Sequence, residues 1–205
     1  MYVARGLELF RWIALSRAIE EQERVLVAQR HAFFRMSSKG HEANAALAAH
    51  LIASDWLFPH YRDKALLLAR GVPVAEFFRT LLGKAESSSA GRQMNSHFSA
   101  PTLKITGMSV PVGNSCCQAV GVAAAIKGRP DRPVVVCCIG DGTTQQGEFY
   151  EAVAEAVRWK LPVLFVCENN QFATEVPFAY SAGNPTVASR GAAYGLRAHE
   201  VDGND

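Results

Sequence analysis

The sequence predicts an α/β protein with a mostly parallel sheet and helices on both faces. Two apolar runs rich in β-branched residues, 133–139 and 161–166, are typical of strands buried on both faces. Between them, residues 146–159 place apolar side chains at helical spacing. Because a strand, a helix and a strand in this order form a crossover unit, we expect the two strands to be parallel, with adjacent carboxyl ends.

Length and composition fit one globular domain over residues 1–205. The formal net charge is only +2 and the basic residues form no stripe, so no nucleic-acid partner is expected. No apolar run reaches membrane-spanning length, and the amino terminus lacks the apolar core of a signal peptide. The five cysteines show no C-x-x-C spacing, which favours buried free thiols in a reducing compartment. We therefore expect a cytoplasmic protein with no membrane association.

A helical pattern over residues 7–29 opens the chain. Its apolar residues, among them Phe10 and Ala18, are expected to pack inwards. Glu20 and Glu23 are expected to lie mostly at the surface. This helix is interpreted as a packing element.

Aromatic residues and further helices follow in the first half of the chain. Phe33 and Phe34 lie in a mixed loop, where a place in the core is favoured over the alternative of lining an apolar substrate pocket. Helical segments are predicted at residues 40–52, 62–71 and 74–82.

Two features of this half of the chain carry residues suited to ligand binding or catalysis. Arg62 stands at a predicted helix start, where a cation opposes the helix dipole unless an anion also binds there. A surface arginine without a ligand is equally compatible with the spacing. Residues 84–103 form a long loop, typical of functional or disordered segments, and Arg92 and His97 are its chemically capable members.

The remaining elements flank the central unit. Residues 104–114 are extended and glycine-punctuated, and they lead into a small-residue helix at 115–127. After the second strand, a short helix at 186–194 precedes a predicted strand at 198–201. Because the sequence stops just beyond that strand, the doubly wound sheet would lack its covering helix. We therefore expect a fragment whose carboxyl-terminal part is missing.

Oxygen-bearing residues follow both central strands. Gly140, Asp141 and Gly142 end the first strand, and Asn169 and Asn170 end the second. Ligands of open α/β sheets bind at this edge, and residues without a Cβ let a ligand approach the backbone. A carboxylate and an amide oxygen suit Mg²⁺, which often shares its ligands with phosphates. Each piece alone is equally compatible with a turn or a strand-ending cap.

The G-D-G and N-N pair, at this spacing, resembles the thiamine diphosphate-binding motif. F-P-H-Y-R-D, A-R-G-V-P, G-R-Q-M-x-x-H-F, S-x-P-V-G…Q-A-V-G and the terminal V-D-G-N-D also occur in the order seen in one family. The chain thus resembles, over nearly its whole length, the alpha subunit of the thiamine diphosphate-dependent 2-oxo acid dehydrogenases. The resemblance implies their thiamine diphosphate-binding fold. The G-R-Q-M-x-x-H loop is more similar to branched-chain (2-oxoisovalerate) members than to pyruvate members.

The resemblance also implies roles for individual residues. Asp141, Asn170 and the backbone carbonyl of Phe172 would bind Mg²⁺, and His97 would face the substrate as a catalytic residue. Tyr61 and Arg62 would bind the diphosphate, and Ser109 and Val112 would meet the aminopyrimidine. The implied cofactor-binding residues are Tyr61, Arg62, Ser109, Val112, Gly140, Asp141, Gly142 and Asn170. The sequence departs from the family after G-D-G, where T-T-Q-Q-G lacks the acidic residue that many members carry before the glycine.

By resemblance, the protein would be an enzyme that decarboxylates a small 2-oxo acid oxidatively and passes the acyl group to a lipoyl domain of an acyltransferase. The cofactor supplies an electron sink for loss of CO₂. In the family, a beta subunit contributes a glutamate to the site, so activity would require an α2β2 assembly. The alternatives are a pyruvate or acetoin dehydrogenase alpha subunit, another thiamine diphosphate enzyme such as a transketolase-like one, and a catalytically silent assembly partner.

Overall fold

A computed structural model describes residues 2–183 and 186–204. Contacts between residues divide the chain into two compact units. The single functional domain expected over residues 1–205 stays a prediction. The first, the helical unit, comprises Met1–Ala53, Tyr61–Met108 and Gly203–Asp205. The second, the sheet unit, comprises Ser54–His60 and Ser109–Asp202. The last residue of the V-D-G-N-D motif, Asp205, lies outside the described residues.

Helices build the first unit. Helix α1 spans Tyr2–Ala28, and a 3₁₀ helix spans Glu42–His50. Helices α2 and α3 span Lys64–Ala69 and Val74–Leu81, and the long loop that follows contains a 3₁₀ turn at Pro101–Leu103. The predicted helix at 62–71 is therefore shorter than expected and begins after Arg62.

The expected orientation of α1 is wrong. Phe10 is 67% exposed and Ala18 is exposed, whereas Glu20 and Glu23 are buried. Lys64 is also buried, and its Nζ lies 3.2 Å from a Glu20 oxygen and 2.5 Å from a Glu23 oxygen. Buried charges are tolerated when they are paired, so this lysine on α2 draws the two glutamates inwards.

The aromatic loop after α1 also differs from the expectation. Phe33 is fully exposed and Phe34 is 49% exposed, so neither contributes to a buried core. The same loop is attached to α1 by polar contacts instead. Arg35 and the backbone N–H of Ser38 both donate to Glu20.

A parallel sheet of order β1-β2-β3 organises the second unit, which confirms the predicted α/β class. Strand β1 spans Trp56–Phe58, β2 spans Val135–Gly140 and β3 spans Val163–Glu168. Strand β2 pairs in parallel with both neighbours, as the crossover argument predicts for β3. Strand β1 was not expected, because its three residues are too few to show a periodic pattern.

Two helices cover one face of this sheet within the unit. Helix α4 spans Asn114–Ile126 and α5 spans Gly147–Arg158. Alternate residues of β2 point into the core that these helices complete. The buried core residues are Phe58, Cys116, Ala119, Ala123, Ile126, Val135, Cys137, Ile139, Phe149, Ala152 and Val153.

The five cysteines are free thiols, as expected, but they are not uniformly buried. Cys117 is exposed, whereas Cys116, Cys137 and Cys138 are buried. Burial raises the pKa of the Cys167 thiol to about 12. A thiol with such a pKa is a poor nucleophile at neutral pH, which supports a packing role.

The chain after β3 forms small elements. Strands β4 (Phe172–Ala173) and β5 (Val176–Pro177) make a hairpin, followed by α6 (Phe178–Ser181) and α7 (Val187–Ala193). The strand predicted at 198–201 is absent from the described residues. Val201 is 87% exposed there, so this apolar segment has no packing to hold it in a sheet. Among the described helices, none is long and apolar enough to cross a membrane.

Candidate functional site

The loops after β2 and β3 meet at the carboxyl edge of the sheet. Gly140, the last residue of β2, is paired in register with Glu168, the last residue of β3. Asp141 follows directly, and its carboxylate accepts the backbone N–H of Asn170. The parallel pairing thus brings Asp141 and the second loop together, as the sequence predicts.

Asp141 is buried but incompletely satisfied. Its side chain is 2% exposed, and the buried Oδ2 atom has no hydrogen-bond partner among the described residues. Burial raises the pKa of this carboxyl group, although backbone N–H donors and His60 oppose the rise. A buried carboxylate oxygen without a donor is suited to a cation.

Two further oxygens lie in the loop after β3. The Asn170 Oδ1 atom accepts the Phe172 N–H at 3.0 Å, which orients the amide and leaves a second lone pair. Phe172 lies opposite Pro177 in the β4–β5 hairpin. Because proline has no N–H, it cannot donate to the Phe172 carbonyl.

The two glycines of G-D-G differ in their surroundings. A Cβ on Gly142 would lie 2.7 Å from the Ala173 Cβ, whereas a Cβ on Gly140 would meet only His60 Nε2, at 3.6 Å. Close approach of the hairpin therefore restricts position 142 to glycine, and the expected close approach of a ligand stays a prediction. Gly140 has no such steric requirement.

Taken together, the donor set fits a hard divalent cation. It offers an unpaired carboxylate oxygen from Asp141, an amide oxygen from Asn170 and a backbone carbonyl from Phe172. Mg²⁺ binds such oxygen ligands and commonly completes its octahedron with water and phosphate oxygens. The metal role of these three residues stays a prediction.

A histidine and a glutamate border this edge. His60 Nδ1 lies 3.5 Å from Glu168 Oε1, and both side chains are largely buried. His60 also lies beside Gly140. Glu168 thus lies directly before the Asn169-Asn170 loop and contacts the end of β1, a position suited to bracing that loop.

Arg190 is a residue that sequence reasoning missed. It is buried, and its Nη1 donates to the Thr144 carbonyl at 2.9 Å and approaches Thr144 Oγ1 at 2.7 Å. The Thr144 hydroxyl in turn donates to the Asp141 carbonyl at 2.7 Å. Arg190 therefore brings a positive charge to the loop after β2, from a short helix that showed no distinctive pattern.

Ser109 and Val112 lie in the loop before α4. Ser109 Oγ accepts the Asn114 side-chain amide at 3.1 Å, and Val112 is 46% exposed. Gly113 has a φ of 95°, and a Cβ there would lie 2.9 Å from the Gln146 Cβ. This loop is therefore packed closely against the residue that precedes α5.

The predicted residues of the helical unit form a stacked group. The Arg62 guanidinium lies 4.9 Å from the Tyr61 ring centroid and donates to the Ser37 carbonyl. The Tyr61 and His97 rings stack with centroids 6.3 Å apart and an angle of 13°. His97 Nδ1 lies 2.9 Å from the Asn95 carbonyl, so Nδ1 carries a proton and, in a neutral ring, Nε2 is the basic nitrogen.

The helix-start argument for Arg62 is not supported by this geometry. Helix α2 begins at Lys64, and Asp63 occupies the preceding position. Arg62 therefore lies two residues before the helix, outside its first turn. Any anion that Arg62 binds must be recognised by its guanidinium donors and not by the helix terminus.

Comparisons with known proteins identify the family that this sequence matches. The family model described as "Dehydrogenase E1 component" matches residues 11–205. The alpha subunit of 2-oxoisovalerate dehydrogenase from Bacillus subtilis is 33% identical over 205 residues, covering 98% of this chain and 62% of its own length. The alpha subunit of 3-methyl-2-oxobutanoate dehydrogenase from Mycobacterium tuberculosis is 32% identical, covering 97% and 53%.

A pyruvate-type relative also matches, over a smaller part of this chain. The pyruvate dehydrogenase E1 component subunit alpha from Porphyra purpurea is 36% identical over 174 residues, covering 81% of this chain and 51% of its own length. The chain thus spans between about half and 62% of the length of these three relatives. The family match extends over nearly the whole sequence, and the chain belongs to the dehydrogenase E1 component family.

Proposed function

We propose that the chain is the cofactor-binding part of the alpha subunit of a 2-oxo acid dehydrogenase, dependent on thiamine diphosphate and Mg²⁺. The single observation that carries this proposal is the buried Asp141 Oδ2, which lacks a hydrogen-bond partner among the described residues and lies beside the Asn170 loop. Family membership supports the cofactor. Asp141, Asn170 and the Phe172 carbonyl would hold the metal ion.

The other predicted residues would bind and orient the cofactor and substrate. Arg62 and Tyr61 would donate to the diphosphate, a role for which the planar fork of an arginine is well suited. Ser109 and Val112 would contact the aminopyrimidine, and His97 would present its Nε2 to the substrate. When bound, the cofactor supplies an electron sink for the carbon that loses CO₂.

We further propose a branched-chain 2-oxo acid as the substrate. The G-R-Q-M-x-x-H loop and the names of the relatives from Bacillus subtilis and Mycobacterium tuberculosis support this choice. The protein would act with a beta subunit in an α2β2 assembly and deliver the acyl group to a lipoyl domain. A panel of 2-oxoisovalerate, pyruvate and acetoin, assayed with a beta subunit and the remainder of a full-length relative, tests the choice.

Calorimetric titration tests cofactor binding directly. Thiamine diphosphate should bind in the presence of Mg²⁺ and lose most of its affinity in excess chelator. Thiamine without the diphosphate should bind weakly and show no dependence on Mg²⁺. Absence of metal-dependent binding, in a chain that melts cooperatively, would favour the alternative of a catalytically silent assembly partner.

A further inference from the structure

The amino ends of β2 and β3 border a second concave surface of the sheet unit, which we name the basic pocket. Its volume is about 320 Å³, near the lower end of the range for small-molecule sites. The ends of α4 and α5 and the turn before β2 form its walls. Its lining residues fall within 126–134 and 160–162.

Positive charge dominates the basic pocket. Lys127, Arg129, Arg132 and Lys160 line it, and no carboxylate does. Asp131 lies next to it, but both of its oxygens accept hydrogen bonds from Arg129, at 3.1 and 3.2 Å. Three cations therefore remain without a compensating carboxylate in the pocket lining.

The negative ends of helix dipoles compensate for only part of this positive charge. Helices α4 and α5 both end at the basic pocket, and each carboxyl end contributes roughly half a negative charge. Subtracting roughly one charge from three leaves roughly two positive charges. Lys127 satisfies a helix-terminal carbonyl, because its Nζ donates to the Trp159 carbonyl at 2.6 Å.

Arg132 and Lys160 make no comparable side-chain hydrogen bond within the described residues, although Lys160 directly follows the end of α5. Neither side chain makes a hydrogen bond or ion pair with another described residue, and Arg132 lies at the end of the turn that links α4 to β2. Both residues adopt left-handed backbone conformations, each with a φ of 49°. At Lys160 this conformation closes the end of α5, because the N–H groups of Lys160 and Leu161 donate to the Val157 and Ala156 carbonyls.

Apolar side chains complete the surface between these cations. Ile126 and Pro133 are buried, and Val134, Leu161 and Pro162 are half-buried. A small molecule with a phosphate and an uncharged ring system matches this combination. Extended nucleic acid does not, because the positive charge is confined to one pocket of a chain with a net charge of +2.

We propose that the basic pocket binds a phosphate-bearing small molecule such as a nucleoside diphosphate, with Arg132 and Lys160 as the principal phosphate donors. The six-residue strands β2 and β3 separate it from Asp141 by about 20 Å, given a rise of about 3.3 Å per residue. It is therefore distinct from the metal and cofactor site proposed above.

Amide chemical shifts of the isotope-labelled chain test this proposal, with ADP, inorganic pyrophosphate and adenosine as probes. ADP should cause saturable shifts at residues 127–134 and 160–162. Pyrophosphate should shift the same residues more weakly, and adenosine should not bind. The double variant Arg132→Glu and Lys160→Glu should weaken ADP binding roughly tenfold or more, because two charge-assisted hydrogen bonds are lost.

A charge-matched control separates a specific site from general electrostatic attraction. Arg5→Glu together with Lys84→Glu makes the same change in net charge on exposed residues of the helical unit. This control should bind ADP as the wild type does. Equal loss of affinity in both double variants, or ADP shifts confined to residues 140–142 and 170–172, would overturn the proposal. If the reversal variant fails to fold, Arg132→Ala with Lys160→Ala provides the same test.

Discussion

Ala173 occupies the space next to Gly142 that any larger residue at position 142 would need. A Cβ added to Gly142 would lie 2.7 Å from the Ala173 Cβ, closer than real contacts allow. Gly142 is not among the glycines with a positive φ, so this steric contact, and not the backbone conformation, disfavours a larger residue at position 142. The hairpin that carries Phe172 is thereby packed against the loop that carries Asp141.

The first prediction follows from this contact. Gly142→Ala should displace the β4–β5 hairpin and move the Phe172 carbonyl away from the other oxygen donors. We expect Mg²⁺-dependent affinity for thiamine diphosphate to fall by about tenfold, which corresponds to loss of about 1.4 kcal/mol of binding free energy. Calorimetric titration at saturating Mg²⁺ measures the change.

The matched control is Gly140→Ala. A Cβ at that position meets only His60 Nε2, at 3.6 Å, which is an ordinary contact distance. The φ of Gly140 is −89°, so alanine fits the backbone. If both alanine variants lose the same affinity, the hairpin contact is not what makes Gly142 necessary.

The central part of the fold could be predicted because its patterns are local. Strands β2 and β3 are continuous apolar runs, and α5 has a clear helical period, so the crossover unit and its parallel pairing follow from short-range sequence. Topology then places Asp141 and Asn170 at one sheet edge. That part of the candidate site needed no knowledge of distant contacts.

The predictions that were wrong, and the residue that was missed, share a different cause, which is contact with residues distant in the sequence. Glu20 and Glu23 are buried by Lys64, which lies more than 40 residues away in sequence, and no periodicity of α1 reveals such a partner. Arg190 is likewise held by hydrogen bonds to Thr144, which lies 46 residues earlier in the sequence. The predicted strand at 198–201 failed for the complementary reason, since an apolar run becomes a strand only when a neighbour pairs with it.

The second prediction concerns the metal. Asp141→Ala removes the only carboxylate of the donor set, and the amide and carbonyl oxygens that remain are neutral. Thiamine diphosphate binding should lose its dependence on Mg²⁺, measured as the ratio of affinities with metal and with chelator. Asp141→Asn keeps the size of the side chain, and it should lose most of the same dependence. Unchanged metal dependence in both variants would remove the basis for the assignment.

The third prediction concerns the diphosphate. Loss of a charge-assisted hydrogen bond costs roughly 1.5–3 kcal/mol, so Arg62→Ala should weaken thiamine diphosphate binding by about ten- to a hundredfold. Thiamine without the diphosphate should bind the wild type and the variant alike. Arg62 also donates to the Ser37 carbonyl, so the melting temperature is measured in parallel. Equal loss of both ligands would identify Arg62 as structural.

The fourth prediction is a pair of opposite pH dependences within the helical unit. Burial raises the pKa of Glu23, despite the opposing charges of Lys64 and Arg35. Burial also acts to raise the pKa of Glu20, but the hydrogen bond from the Ser38 N–H and the charge of Lys64 outweigh it, so the pKa of Glu20 is lowered. A raised carboxyl pKa favours the folded state at low pH and loses that effect as the pH rises above 4.5. A lowered pKa favours the folded state above 4.5 and loses that effect as the pH falls.

Urea unfolding of two variants measures these contributions. The stability of the wild type relative to Glu23→Gln should decrease as the pH rises from 4.5 towards neutrality. The stability of the wild type relative to Glu20→Gln should decrease as the pH falls below 4.5. The same sign of pH dependence for both variants would show that the two carboxyl groups do not titrate as their surroundings indicate.

The last prediction is that this 205-residue chain alone does not decarboxylate 2-oxo acids. In the family it resembles, an acid from the beta subunit assists the aminopyrimidine, and positioned proton transfer is commonly worth about 10²–10⁴ in rate. Within the sheet unit, Glu148 and Glu151 lie on α5, which leads away from the carboxyl edge, and Glu168 is engaged with His60.

Glu175 lies in the exposed turn of the β4–β5 hairpin, where no described packing holds its side chain in place. We therefore expect cofactor binding without turnover, and turnover only when a beta-type subunit and the remainder of a full-length relative are supplied. The measurement is steady-state CO₂ release with an artificial electron acceptor. Sustained release by the isolated chain, abolished by Asp141→Ala, would show that a complete set of acids is already present in it.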